Sequence, residues 1–223
     1  GLARTPLPGV VVANPPGAPL AHIGGFHDVA LTINPNYTTT EKTFSGKIDH
    51  DFGAVRLTSI TGYSDLDPKV IYDLDISPAN SQIVNIDNFN RMFTQEVQLK
   101  SPVESKLQWI VGAFYMDVEA GFEPQRVLLS GGATIQDIRS KIDTSSLAGF
   151  AQGSYEIFTD TRLTAGVRYT RDRREVAGTT AINGVVNPAA TVSGRATTWK
   201  KATFRVALDH QFTDDFMAYA SVN

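Results

Sequence analysis

The sequence predicts an all-β protein: an antiparallel transmembrane β-barrel segment of about eight strands, with short periplasmic turns and long extracellular loops. Three observations carry that prediction. From Thr43 onward, apolar and polar residues alternate with period two, as strands with chemically different faces require. The alternating runs are mostly about 8 to 14 residues, longer than the roughly 5 to 6 of soluble strands and suited to the roughly 9 to 11 that a tilted strand needs to cross hydrocarbon. Short and long connections also follow one another in turn, as they do when short turns gather on one side of a membrane and long loops on the other.

Residues 1–40 contain Pro6, Pro8, Pro15, Pro16 and Pro19 with Gly17, Gly24 and Gly25, which block sustained ladder or helix bonding, and are expected to form an external loop region. Residues 41–223 are expected to form the barrel part. In the first strand Phe44, Ile48 and Phe52 oppose Thr43, Ser45, Lys47 and Asp49, and the chain turns near Gly53. A second strand, from Val55 to about Ser64, sets Val55, Leu57 and Tyr63 against Arg56, Thr58 and Ser64. The third, over 93–100, sets Phe93, Val97 and Leu99 against Thr94, Glu96, Gln98 and Lys100, with Gln95 a blemish on the apolar side. The fourth, over 107–119, and the fifth, over 145–157, are apolar on both faces and have no assigned orientation. The sixth sets Leu163, Ala165, Val167 and Tyr169 against Thr164, Arg168, Thr170 and Asp172. The seventh sets Ala202, Phe204, Val206 and Leu208 against Lys201, Thr203, Arg205 and Asp209, and an eighth begins at Phe216. Short turns fall near 53, 101–106, 159–161 and 213–215; long loops are expected at 65–91, 120–141 and 173–198.

Lipid offers no hydrogen bonds, and a charge on the lipid side costs about 2–4 kcal/mol at mid-bilayer. Lys47, Glu96, Arg168 and Arg205 are therefore expected to face the lumen. Phe44, Phe52, Tyr63, Phe93, Trp109, Tyr155, Tyr169 and Tyr219 lie near strand ends, where amphipathic rings favour the membrane boundary.

Composition removes other classes. With 20 basic and 23 acidic residues and a net charge of -3, the chain has no basic field of the kind nucleic-acid binding demands. The absence of cysteine rules out disulfides and thiolate metal sites without locating the protein. No apolar run approaches the length of a membrane helix. The opening residues show neither a charged leader nor an apolar signal core, which is expected of a mature, processed or partial chain.

The segments FSGKIDHDFGAVRLTSITGYSD from Phe44, FTQEVQLKSP from Phe93, LQWIVGAFYMDVE from Leu107, LAGFAQGSYEIFTDTRLTAGVRYTRDRREVAG from Leu147 and ATFRVALDHQFTDDFMAYASVN from Ala202 resemble the barrel of TonB-dependent receptors. The resemblance implies a Gram-negative outer-membrane protein that imports a scarce nutrient, such as an iron–siderophore complex. It further implies contact with outer-membrane lipid and lipopolysaccharide, and coupling to the TonB complex through a plug domain. Neither the plug nor the TonB-contacting motif is found in these residues, so the chain is expected to be part of a 22-stranded barrel. No cofactor and no catalytic residue is implied.

Candidate ligand contacts divide into two groups. Arg168, Arg171, Arg173, Arg174 and Arg205 form a basic group suited to an anionic ligand by their guanidinium forks; pairing with Glu96, Asp172 or Asp209, or contact with lipopolysaccharide at the rim, is the favoured alternative. Asp65, Asp67, Asp73 and Asp75, with Asp87, make an acidic loop whose spacing matches no calcium motif, so a solvated loop is favoured over a cation site. His22 and His27 lack further clustered donors. Three rivals stay open: a self-contained eight-stranded outer-membrane structural or adhesion protein, a soluble carbohydrate-binding β-sandwich, and an outer-membrane lipase.

Overall fold

The computed structural model describes residues 31–76, 82–129 and 133–223. They form one antiparallel meander: β1 (Asn36–Asp51), β2 (Arg56–Asp73), β3 (Gln82–Lys100), β4 (Leu107–Leu129), β5 (Thr134–Phe158), β6 (Thr161–Ile182), the short β7 (Val185–Val186), β8 (Val192–Thr213) and β9 (Phe216–Val222). Sequence neighbours pair in the order β1-β2-β3-β4-β5-β6-β8-β9, with β7 folded back onto β6, so β1 and β9 are the edges of an open sheet. A self-contained eight-stranded barrel would pair those two edges, and here they are not paired. Residues 1–30, 77–81 and 130–132, with them His22, His27, Gly131 and Gly132, lie outside the described residues.

The four short turns fall where alternation stops, while the expected long loops are largely strand. β2 and β3 extend to Asp73 and Gln82, β4 and β5 to Leu129 and Thr134, and β6 and β8 to Ile182 and Val192. β1 likewise opens at Asn36, inside the region expected to be loop. Above the apolar band polar and apolar residues share both faces of the hairpins, with Val84 and Val127 buried among them, so backbone pairing persists while the period-two hydropathy that reveals it disappears. Pro68 leaves a local mark, since Asp67 and Pro68 have partners in β1 and none in the β3 register, as expected of a residue without an N–H.

Register fixes the two faces, because cross-strand partners share a side. One row runs Leu57–Leu99–Val111–Ala151–Val167–Phe204, and the next Ser59–Val97–Ala113–Gly149–Tyr169–Ala202. On this face no charged residue occurs over 44–50, 57–63, 93–99, 107–115, 147–155, 163–169 or 202–208. At roughly 3.3 Å per residue and a tilt near 40°, these stretches rise about 18 to 23 Å, close to the roughly 25 Å apolar band of outer-membrane barrels. The face has no second layer against it: Leu163, Val167, Phe204 and Leu208 are 37%, 54%, 60% and 44% exposed. A soluble sandwich would bury these positions.

Gln95 is accommodated on the apolar face by its neighbours. Its amide accepts from Thr61 Oγ1 at 2.6 Å and donates to Ser59 Oγ at 2.9 Å, both across the β2–β3 pair. Tyr219 departs from expectation, for it pairs with Asp209 and so lies on the polar face.

The upper limit of the apolar band is staggered. Its first charged residue is Lys42 on β1, Asp65 on β2, Arg91 on β3, Asp117 on β4, Asp143 on β5, Arg171 on β6 and Lys200 on β8. Measured along the register, Arg171 and Lys200 sit two face-sharing rows below the Asp65–Arg91 row. Strands tilted against a level plane produce such a drift. Above the limit runs an ion-pair chain: Lys42–Asp65 at 3.8 Å, Asp65–Arg91 at 3.4 Å, Arg91–Glu119 at 3.6 Å, Glu119–Lys141 at 3.0 Å and Lys141–Asp143 at 3.2 Å. Hydrogen bonding to Glu119 and then Asp143 raises the Lys141 pKa above its ordinary value.

Higher on the β4–β5 hairpin, Arg126 makes a bidentate pair with Asp137 at 2.7 and 3.1 Å. The Arg126 hydrogen bond holds the Asp137 carboxyl below its ordinary range. A depressed folded-state pKa contributes stability above the unfolded carboxylate value of about 3.9, and that stability is lost as pH falls through the lower folded value. The hairpin tip should therefore lose hydrogen-exchange protection, corrected for intrinsic rates, by roughly two- to fivefold between pH 6 and pH 3. Asp137→Asn should lower protection at pH 6 and flatten the pH response. Protection that holds or rises on acidification in the unsubstituted protein would contradict this.

Candidate functional site: the polar wall

The face opposite the apolar band is polar and charged. Its rows run Asp49–Thr58–Gln98–Gly112–Phe150–Arg168–Thr203 and Lys47–Ile60–Glu96–Phe114–Ala148–Thr170–Lys201. Glu96 and Gln98 on β3 line the same trough of about 460 Å³ as Arg168 on β6, Arg205 on β8 and Asn223. On a flat sheet β3 and β8 would stand four strand spacings apart, about 19 Å. Their convergence on one cavity makes the polar face the concave one.

Arg168 sits at the centre of this wall. Its guanidinium carbon lies 5.7 Å from the Phe114 ring centroid and 5.8 Å from that of Phe150, and its Nε donates to Thr170 Oγ1 at 3.1 Å. Both rings offer their negative faces to the cation. Gly112 makes room for this arrangement, since a Cβ there would collide with the Phe150 ring and lie 2.8 Å from the Val97 carbonyl oxygen. Among the described residues neither Arg168 nor Arg205 makes an ion pair, and Glu96 accepts a hydrogen bond from Gln98. The wall therefore presents guanidinium donors with unspent capacity beside aromatic surface.

Lys47 lies on the same face, in a second cavity with Arg56, Thr58 and Lys100, and pairs with Asp49 at 2.7 Å. Asp49 also accepts from the buried Thr58 hydroxyl at 2.6 Å. Arg171 and Arg173 do not join this group, for register sets them on the face of Val167 and Tyr169. The basic cluster of the sequence is thus divided between two sides of the sheet, with Arg168, Arg174 and Arg205 on one and Arg171 and Arg173 on the other.

The acidic residues are dispersed as well. Asp65 belongs to the ion-pair chain on β2, and Asp67 lines a cleft with Lys69, Asp87 and Arg91. Asp73 is buried and accepts from the Thr32 and Ile76 backbone N–H groups at 2.8 and 3.1 Å; Ile76 carries a positive φ of 52°. Asp75 accepts from the Gln82 N–H at 2.8 Å. These last two carboxylates fasten backbone N–H groups at the upper ends of β2 and β3. The described residues contain no cluster of three or more metal-ligating side chains.

Phe114 and Phe150 are wall residues that sequence reasoning left unassigned, because β4 and β5 are apolar on both sides. Pairing β5 against the well-oriented β6 would have exposed them: Phe150 must share a face with Arg168 and Tyr155 with Leu163.

A charged concave face backed by a convex one that carries an uncharged band defines a segment of an antiparallel β-barrel wall. The chain belongs to the TonB dependent receptor-like β-barrel family, whose model matches residues 9–223. Among solved structures it is similar to the ferric yersiniabactin uptake receptor FyuA from Yersinia pestis, with a TM-score of 0.67, 13% identity, and coverage of 84% of this chain and 28% of that one. It is also similar to the ferric-catecholate import receptor Fiu from Escherichia coli K12. The open form gives a TM-score of 0.59 at 12% identity, covering 83% of this chain and 35% of that one. The closed form gives 0.58 at 11% identity, with 83% and 32% covered. The chain therefore spans about a third of the length of these receptors. No curated protein matches it significantly in sequence.

Proposed function

We propose that the protein to which this wall belongs is an outer-membrane receptor of a Gram-negative bacterium that takes up a scarce nutrient by TonB-dependent active transport. The observation that carries this reading is the uninterrupted uncharged band on one face, set against a wall of Lys47, Glu96, Arg168 and Arg205 on the other, in a chain of this family. In this reading acyl chains and lipopolysaccharide cover the convex face, and the hairpins above the band form the ligand entrance. The TonB complex supplies energy through a plug domain that is not among these residues. An anionic metal chelate such as a ferric siderophore suits the unpaired guanidinium groups, whose forks fit carboxylate and catecholate oxygens. The two iron-chelate receptors of similar fold support that ligand class. The division of Arg171 and Arg173 from Arg168 restricts the lumenal contacts to the concave set, and Asp65 and Asp67 stand at the outer rim.

Radiolabelled uptake of a panel of ferric chelates into cells carrying the full-length receptor, with and without functional TonB, tests the proposal. Uptake of at least one chelate that vanishes without TonB is expected; uptake of every chelate independent of both receptor and TonB would overturn it. Arg168→Gln should lower the uptake of the transported chelate by about three- to tenfold with the amount of membrane-inserted receptor unchanged. Unaltered uptake would remove Arg168 from the ligand path.

A further inference from the structure

Where the apolar band of the convex face ends, the chemistry of the two faces changes over. Up to Tyr115 the convex side of β4 is uncharged; beyond it that side carries Asp117 and Glu119, while the concave side carries Met116, Val118, Ala120 and Phe122. The register continues the exchange onto the neighbouring strands. Met92 of β3 stands opposite Val118, Ile142 of β5 opposite Ala120, and Val176 of β6 opposite Ile142. Their sequence neighbours on the convex side, Arg91, Asp143 and Glu175, are all charged.

The result is an apolar track on the concave face. It follows β4 from Phe114 to Phe122, about 26 Å at roughly 3.3 Å per residue. Met92 and Ile142 on its flanks are each 37% exposed. An apolar surface on the side that carries the charged wall below is the kind that marks a binding site, where apolar area supplies affinity and a few placed polar groups fix orientation. Two of the chain's three methionines, Met92 and Met116, lie on it, and thioether side chains adapt to apolar bodies of differing shape. At the foot of the track the Phe114 ring faces the Arg168 guanidinium, which makes no ion pair among the described residues. A small hydrophilic anion would use Arg168 and leave the track bare. A molecule with an oxyanion at one end and an apolar body behind it would use both.

We propose that the transported ligand is an anionic amphiphile, whose oxyanion group meets Arg168 and whose extended apolar chain or ring system lies along Phe114, Met116, Val118 and Phe122. The inference rests on the transport reading above and narrows its ligand from any anionic chelate to one that carries such an apolar body.

The test measures TonB-dependent uptake of radiolabelled iron by cells carrying the full-length receptor. The probes are ferric chelates made in pairs that share one anionic head and differ in bearing an acetyl or a decanoyl group. Within a pair that is taken up, the decanoyl member is expected to enter about tenfold faster or more at subsaturating concentration. Val118→Asn should cut that advantage by about three- to tenfold and leave the acetyl member unchanged, at an equal amount of membrane-inserted receptor. Arg168→Gln should slow both members alike, and Asp117→Asn, on the convex side of the same strand, should alter neither. Equal uptake within the pairs, which needs no variant to establish, would overturn the inference and leave the track to another part of the receptor. An equal loss of both members in membrane-inserted Val118→Asn would overturn it as well. TonB-dependent uptake of no member of any pair would instead overturn the transport reading beneath it, so the two failures are distinguishable.

Discussion

Replacing Phe204 with lysine should prevent stable assembly of the receptor in a bilayer, while lysine at the adjacent Thr203 should be accepted. The two residues are neighbours on β8 and differ in the face they occupy. Phe204 opposes Val167 among the uncharged convex-face residues of 202–208 and is 60% exposed; Thr203 opposes Arg168 on the concave wall. A lysine at 204 must bring its ammonium into hydrocarbon or bend its stem toward the boundary near Lys200, at a cost of about 2–4 kcal/mol near the midplane. At 203 the same side chain meets water. Phe204→Leu separates loss of the ring from gain of the charge and should change stability by less than about 1.5 kcal/mol. Urea titration of the full-length receptor in lipid vesicles measures all three. Equal destabilisation by the two lysines, or greater damage at 203, would mean that the apolar face does not meet lipid.

Much of this architecture is legible in the residues because hydrocarbon imposes a binary code. Over 163–169 and 202–208 every second residue obeys it, over 44–50 and 93–99 all but His50 and Gln95 do, and the structure keeps the orientations that alternation assigns there. The code fails where its physical cause is missing. β4 and β5 read as apolar on both sides because Phe114, Met116 and Phe150 face the concave wall, two of them engaging Arg168. Above the apolar band, polar and apolar residues mix on both sides of the hairpins, Val84 and Val127 being buried there, and described arms that read as loops are paired strand with local register shifts. The basic group fell into two sets for a related reason: proximity in sequence ignores parity, and in a strand residues 168 and 171 point to opposite solvents. Asp73 and Asp75 were equally opaque, since an acidic residue that fastens a turn through backbone N–H groups has the same letter as one that awaits a ligand.

Alanine at Gly121 should open the β4–β5 hairpin above the membrane, at a cost of about 1–3 kcal/mol. Gly121 stands beside the register shift between Phe122 and Gln125, where the strands draw together. A Cβ at 121 would collide with the Ser140 carbonyl oxygen and come within 2.8 Å of its carbon. These are ladder atoms, unable to swing aside as a flexible side chain would. On the other flank of β5, a Cβ at Gly178 would lie 2.9 Å from the Arg139 carbonyl oxygen, beside the β6–β8 shift between Val176 and Gly178. β5 is thus gripped at residues 139–140 from both neighbours, and widening either side should release the arm that carries Asp137 and its Arg126 partner. Gly149→Ala is the control: a Cβ there meets nothing within 4 Å, so the change should be neutral or stabilise by up to about 1 kcal/mol. Hydrogen exchange across 121–140 in the full-length receptor distinguishes the two variants. Protection of that arm surviving Gly121→Ala intact would show that the close approach is not what holds the hairpin together.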